Sequence, residues 1–112
     1  MKNVAFIKVA ETAEIPVGKM KKVELGGKEI LIANVDGKYY AIPDRCTHRA
    51  GDLSIGSLDG KVVTCPLHGA KFDVTTGKNI RGPKMLLFRG KTADEPAFEV
   101  KLEGKHVMVK ID

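Results

Sequence analysis

Cys46-Thr47-His48 and Cys65-Pro66-Leu67-His68 each set a thiol and an imidazole within one turn of chain. Small residues follow closely, Ala50-Gly51 after the first motif and Gly69-Ala70 after the second. Backbone that folds tightly around an ion and its ligands requires such residues. Both cysteines and two of the three histidines are used in these motifs, and sixteen residues separate His48 from Cys65. That interval is long enough for a hairpin that brings two loops face to face. A Cys46–Cys65 disulfide would leave both histidines without a role and belongs to oxidising compartments. Unrelated core thiols would explain one Cys-His neighbourhood but not two. Structural zinc takes four such ligands, although zinc modules commonly pair Cys with Cys in one knuckle and His with His on a helix. The alternating order Cys, His, Cys, His suits a cluster of two unlike irons, each loop giving a thiolate to one and an imidazole to the other. On the ligands alone, zinc and the cluster both stay open.

The elements that must position these loops read as all-β. Asp36-Gly37 is a type I′ hairpin signal inside Lys28–Ala41, flanked by β-branched and aromatic residues. Gly26-Gly27 marks an earlier turn after Lys19–Leu25. Near the end, Phe98, Val100 and Leu102 alternate with charged residues, and Val107, Val109 and Ile111 follow beyond Gly104. That pattern predicts a terminal hairpin with one buried face. No stretch carries a helical period. Residues 43–84 hold Pro43, Gly51, Gly56, Gly60, Pro66, Gly69, Gly77, Gly82 and Pro83, too many turn residues for long strands. The expectation is one domain, 1–112: a β-sandwich or barrel built from 1–42 and 85–112, with a loop-rich subdomain at about 43–84 inserted into it.

With 112 residues, 43% hydrophobic and 29% charged, the chain can build a core without depending on a metal or a disulfide. No apolar run approaches the roughly 18 residues that cross a bilayer, and the first residues lack the apolar stretch of a signal peptide. The expected setting is soluble, cytoplasmic and off the membrane. The formal charge is +5, and residues 43–84 carry seven basic and four acidic side chains, or +3 of it. A solvated basic surface and a docking face for an acidic protein partner both account for this bias. Nucleic acid is not expected, because there is no basic helix and only six Phe and Tyr residues could stack on bases. His106 falls on the polar face of the last strand, and Asp73 and Thr76 read as turn formers before Gly77.

The stretch Cys46-Thr47-His48-Arg49-Ala50-Gly51-Asp52-Leu53-Ser54, with Gly56-Ser57-Leu58-Asp59-Gly60, Cys65-Pro66-Leu67-His68-Gly69 and Phe72-Asp73-Val74-Thr75-Thr76-Gly77, resembles the cluster-binding segment of Rieske ferredoxins. That family includes the carriers of ring-hydroxylating dioxygenase systems. The resemblance is dense over about 43–84 and looser in the flanks. It implies one 2Fe–2S cluster, with Cys46 and Cys65 as thiolate ligands of a buried iron and His48 and His68 on an outer iron. It also puts Asp73 and Thr76 beneath the second ligand loop, and Arg81-Gly82-Pro83 where the family has a proline-bearing cover.

Two ferric ions, two sulfides and two thiolates sum to zero charge, against −2 for a four-thiolate cluster. An electron is therefore accepted at higher potential, on the histidine-bound iron. The resemblance implies a monomeric one-electron carrier between a reductase and an acceptor such as a Rieske oxygenase. A small Rieske subunit of a larger complex, as in a nitrite reductase, is the alternative. An oxygenase in its own right needs a second iron held by two His and a carboxylate, and only His106 would remain for it. The high-potential Rieske proteins carry an extra cysteine in each ligand loop, and a serine and a tyrosine after the second ligand histidine. Here Leu67, Ala70 and Phe72 stand at the second-loop positions, which predicts a low-potential member.

Overall fold

The computed structural model describes residues 5–44, 52–66, 69–81, 84–85, 88–89 and 97–111. Twelve strands run along the described chain, with no α-helix among the described residues. They are β1 (Ala5–Glu11), β2 (Met20–Leu25), β3 (Lys28–Val35), β4 (Lys38–Pro43), β5 (Ser57–Asp59) and β6 (Val62–Thr64) in the first part. The second part holds β7 (Lys71–Asp73), β8 (Asn79–Arg81), β9 (Lys84–Met85), β10 (Phe88–Arg89), β11 (Glu99–Glu103) and β12 (His106–Ile111). Three-residue 3₁₀ turns sit at Thr12–Glu14 and Leu53–Ile55.

The turn chemistry forms as expected. Asp36 and Gly37 take φ of 54° and 90°, the paired positive angles of a type I′ turn, and Val35 pairs with Lys38 across it. Gly26 and Gly27, at 59° and 80°, close β2 on β3 in the same way, with Leu25 opposite Lys28. Those two hairpins make the antiparallel sheet β2-β3-β4, while β1-β12-β11 forms a second sheet. The backbone bridge Ala41↔Phe98 joins the two.

What the periodicity did not announce is that β2-β3-β4 is a middle layer. Ile30, Leu31, Ile32 and Ala33 are all inaccessible to solvent. Successive strand residues face opposite sides, so both faces of β3 must be covered. Ile30, Ile32 and Ala41 pack with Ala10, Ile15, Val107 and Val109 of the terminal sheet. Leu31, Ala33 and Ile42 pack the other way, against Leu53, Val63, Phe72 and Val74. Each such aliphatic side chain stabilises the fold by about 1.5–3 kcal/mol when fully buried.

The segment expected to be loop-rich contains a four-stranded antiparallel sheet, β5-β6-β7-β8. Its strands are three residues each, so the turn residues limited strand length without preventing pairing. Leu102 also departs from expectation. It is 46% exposed, on a strand that is at the edge of its sheet among the described residues.

Candidate metal centre

β6 delivers Cys65. The strand is held on both sides, by β5 and β7, so the residue that follows it starts from a fixed position. Cys65 has 2% exposure, carries a free thiol, and packs with Leu53, Val63, Ala70 and Phe72. Its N–H donates to the Ala70 carbonyl at 2.7 Å, and its own carbonyl accepts from the Gly69 N–H at 3.1 Å. Gly69 has φ 74°, a backbone angle that an L side chain would strain. Cys65, Gly69 and Ala70 are thus tied together by two backbone hydrogen bonds. Leu67 and His68 lie outside the described residues. Ala70 and Phe72 are fully buried beside Cys65, and neither side chain can donate a hydrogen bond.

Cys46 and His48 also lie outside the described residues, together with Arg45, Arg49 and the rest of 45–51, and so do Gly82 and Pro83. The residues on either side of 45–51 are described, and Asp44 ties them together. Its N–H donates to the Glu29 carbonyl on β3 at 3.0 Å, and its carbonyl accepts from the Leu53 N–H at 2.8 Å. Its carboxylate accepts from the Ser54 N–H at 2.7 Å and from the Ser54 hydroxyl at 2.8 Å. Burial pushes this carboxyl above the ordinary aspartate range. The Ser54 bonds oppose that shift and the charge of Asp52 adds to it.

Beside it, Lys22 Nζ lies 3.2 Å from Asp52 Oδ2 and 3.4 Å from Glu29 Oε1. Glu29, Asp44 and Asp52 bring carboxylate oxygens within 4.8 Å of one another, and the Lys22 ammonium is the positive group among them. The hydrogen bond to Asp52 is the main cause that holds Lys22 above its usual range. Asp44 was missed in the sequence, where it counted only as one acidic residue of the segment. A partner ten positions away leaves no periodic signal.

Gly56 sets the Leu53–Ile55 turn against the end of β6. A Cβ added there would run into the Thr64 carbonyl, backbone immediately before Cys65. Asp73 and Thr76 build the β7–β8 turn, as expected. Thr75 donates from its N–H and its hydroxyl to Asp73 Oδ1, at 2.8 and 2.6 Å, and Gly77 N–H donates to the Asp73 carbonyl. Lys61 Nζ lies 3.3 Å from Asp73 Oδ2. His106 is half exposed at the surface, 3.6 Å from Glu11. A buried thiol in an apolar pocket is the soft donor that an iron–sulfur cluster takes. The described part of the centre therefore fits such a group.

Comparison with known proteins agrees with this geometry. The family model of the Rieske [2Fe–2S] domain matches residues 5–89. The chain is 38% identical over 107 residues to the ferredoxin component of the naphthalene 1,2-dioxygenase/salicylate 5-hydroxylase systems of Ralstonia sp., covering 96% of each chain. It is 38% identical to the biphenyl 2,3-dioxygenase ferredoxin component of Rhodococcus jostii (strain RHA1), covering 96% of this chain and 94% of that one. Among solved structures, a chain from the complex of reduced oxygenase and oxidized ferredoxin in carbazole 1,9a-dioxygenase superposes with a TM-score of 0.81 at 32% identity, over 93% of this chain and 91% of that one. No described helix is long and apolar enough to cross a membrane. The buried Cys65, the three β-layers and the match over 5–89 place this chain in the Rieske [2Fe–2S] domain family, as an electron-transfer component with a Rieske-type cluster and not itself an enzyme.

Proposed function

We propose that the chain passes single electrons from a reductase to a Rieske oxygenase, with Cys46, Cys65, His48 and His68 as the four cluster ligands. Residues 1–112 form one domain, the ligands falling in the inserted segment of about 43–84. The observation that carries the reading is 38% identity, over 96% of both chains, to a ferredoxin component of a dioxygenase system. The 2Fe–2S group supplies a one-electron site whose potential depends on its ligands and surroundings. This chain's residues hold it and exclude water from it. Cys65 does so from within the apolar cluster of Leu53, Val63, Ala70 and Phe72. We assign the protein to the cytoplasm as a soluble monomer.

Two experiments test this reading. Protein prepared without oxygen should carry two irons and two acid-labile sulfides per chain, and Ala at any one of the four ligand positions should abolish the cluster. Full cluster content in Cys46→Ala or His68→Ala would overturn the ligand set. Stopped-flow mixing of the reduced protein with a Rieske oxygenase should reoxidise it in a single one-electron phase, and absence of transfer to any such acceptor would overturn the role.

A further inference from the structure

We propose that Asp44 is a positioning residue for the cluster, fixing the first ligand loop at both of its ends and setting that loop against Cys65. The inference rests on the ligand assignment of Cys46 and His48 made above. Its physical basis lies wholly in described residues. Asp44 is fully buried at the point where chain leaves the middle sheet, two positions before Cys46. Four hydrogen bonds converge on it. One binds it to Glu29 of β3, and three bind it to Leu53 and Ser54, where the chain returns from the loop. Leu53 in turn belongs to the apolar cluster that surrounds Cys65. One side chain and its own peptide groups therefore join the middle sheet, the return of the first loop and the surroundings of the second.

Stability alone explains this choice poorly. Burying a carboxylate is costly, and a well-packed apolar residue commonly serves the fold as well or better. What an apolar residue cannot do is specify where Ser54 sits, because dispersion contacts are not directional. Both Ser54 donors reach the carboxylate, one to each oxygen, and that fixes the position and the rotation of the returning chain. Lys22 holds the adjacent Asp52 from β2, so the same stretch is tethered a second time.

The test compares Asp44→Ala, Asp44→Asn and Ser54→Ala in the cluster-loaded protein. An Asn oxygen can still accept from the Ser54 N–H, and its amide can donate to the Ser54 hydroxyl, so the asparagine variant should keep the clamp. Release of the cluster to excess EDTA, followed by visible absorbance, should be about tenfold faster in Asp44→Ala, the factor that one lost hydrogen bond to a charged group carries. The electron paramagnetic resonance signal of the reduced Asp44→Ala protein should broaden, because a loosened loop samples several ligand geometries. Asp44→Asn should stay within about twofold of wild type on release, with Ser54→Ala between the two.

Ile32→Val, in the opposite core, should lower the melting temperature without changing either cluster readout. Wild-type release and linewidth in Asp44→Ala would overturn the proposal, as would equal effects of Asn and Ala. Should Asp44→Ala not fold, Ser54→Ala decides, and wild-type behaviour there overturns the proposal. Failure of the ligand reading looks different: Cys46→Ala or His48→Ala would keep the cluster, whatever the variants at 44 and 54 do.

Discussion

The N–H of Cys65 donates to the carbonyl of Ala70 across 2.7 Å, so the proposed thiolate ligand is joined through backbone to a buried residue whose side chain has no hydrogen to donate. Ala70 is buried with Phe72 in the cluster of side chains around Cys65, where a hydroxyl on either residue would have no water to compete for it. Donors of that kind stabilise the extra negative charge of a reduced cluster.

The midpoint potential should therefore lie in the lower part of the Rieske span of roughly −150 to +300 mV, below about 0 mV at pH 7. Ala70→Ser and Phe72→Tyr should each raise it by tens of millivolts, on the order of 1 kcal/mol per hydrogen bond. Protein-film voltammetry gives the value directly. A wild-type midpoint above about +100 mV would show that some other feature sets it.

Gly56 has an ordinary φ of −80°, so its role lies in close approach to backbone rather than in conformational freedom. Gly56→Ala would drive a methyl into the Thr64 carbonyl, which is fixed by the pairing of β6 with its neighbours. The expected cost is about 1–3 kcal/mol, the usual range for overpacking. Thermal unfolding of the variant should show a lower midpoint, and iron content should drop with it. A melting curve unchanged from wild type would mean that β5 and β6 separate without penalty.

Asp73 supplies the acid sensitivity. Burial alone would raise its carboxyl, but the Thr75 hydroxyl, the Thr75 N–H and the Lys61 ammonium outweigh that and hold it below the ordinary value. A depressed folded-state value means stability that is present above the unfolded value and lost as pH falls through the folded one. Urea unfolding should thus show wild type above Asp73→Asn by about 1 kcal/mol at pH 7, with the gap closing from about pH 4 downward. A gap that persists at pH 2 would assign the effect to packing instead of charge.

The basic excess of 43–84 predicts attraction toward an acidic partner. Electron transfer to a partner oxygenase should slow as salt rises, because screening shortens the reach of the charges to about 10 Å at 0.1 M. Arg49→Glu and Lys84→Glu should each lower the second-order rate at low salt and flatten its salt dependence. A rate independent of salt in wild type would return these charges to general solvation.

The three hairpins and the all-β class were legible in the sequence because their signals are local. Paired glycines or Asp36-Gly37 specify conformation through neighbouring dihedrals, and a period of two specifies a strand wherever it occurs. The tertiary structure alone decided what those elements meet. Ile30 through Ala33 read in the sequence only as part of one hairpin strand, and only packing on both sides makes β2-β3-β4 the middle layer. Leu102 alternates correctly yet stays exposed, since alternation assigns a face but not what packs against it. The Asp44–Ser54 clamp and the contact of Gly56 with Thr64 join positions eight to ten residues apart, through a fold that forms before such groups can meet. Short-range dihedral preference is written residue by residue, whereas directional contacts between segments exist only once the apolar layers have fixed their separation.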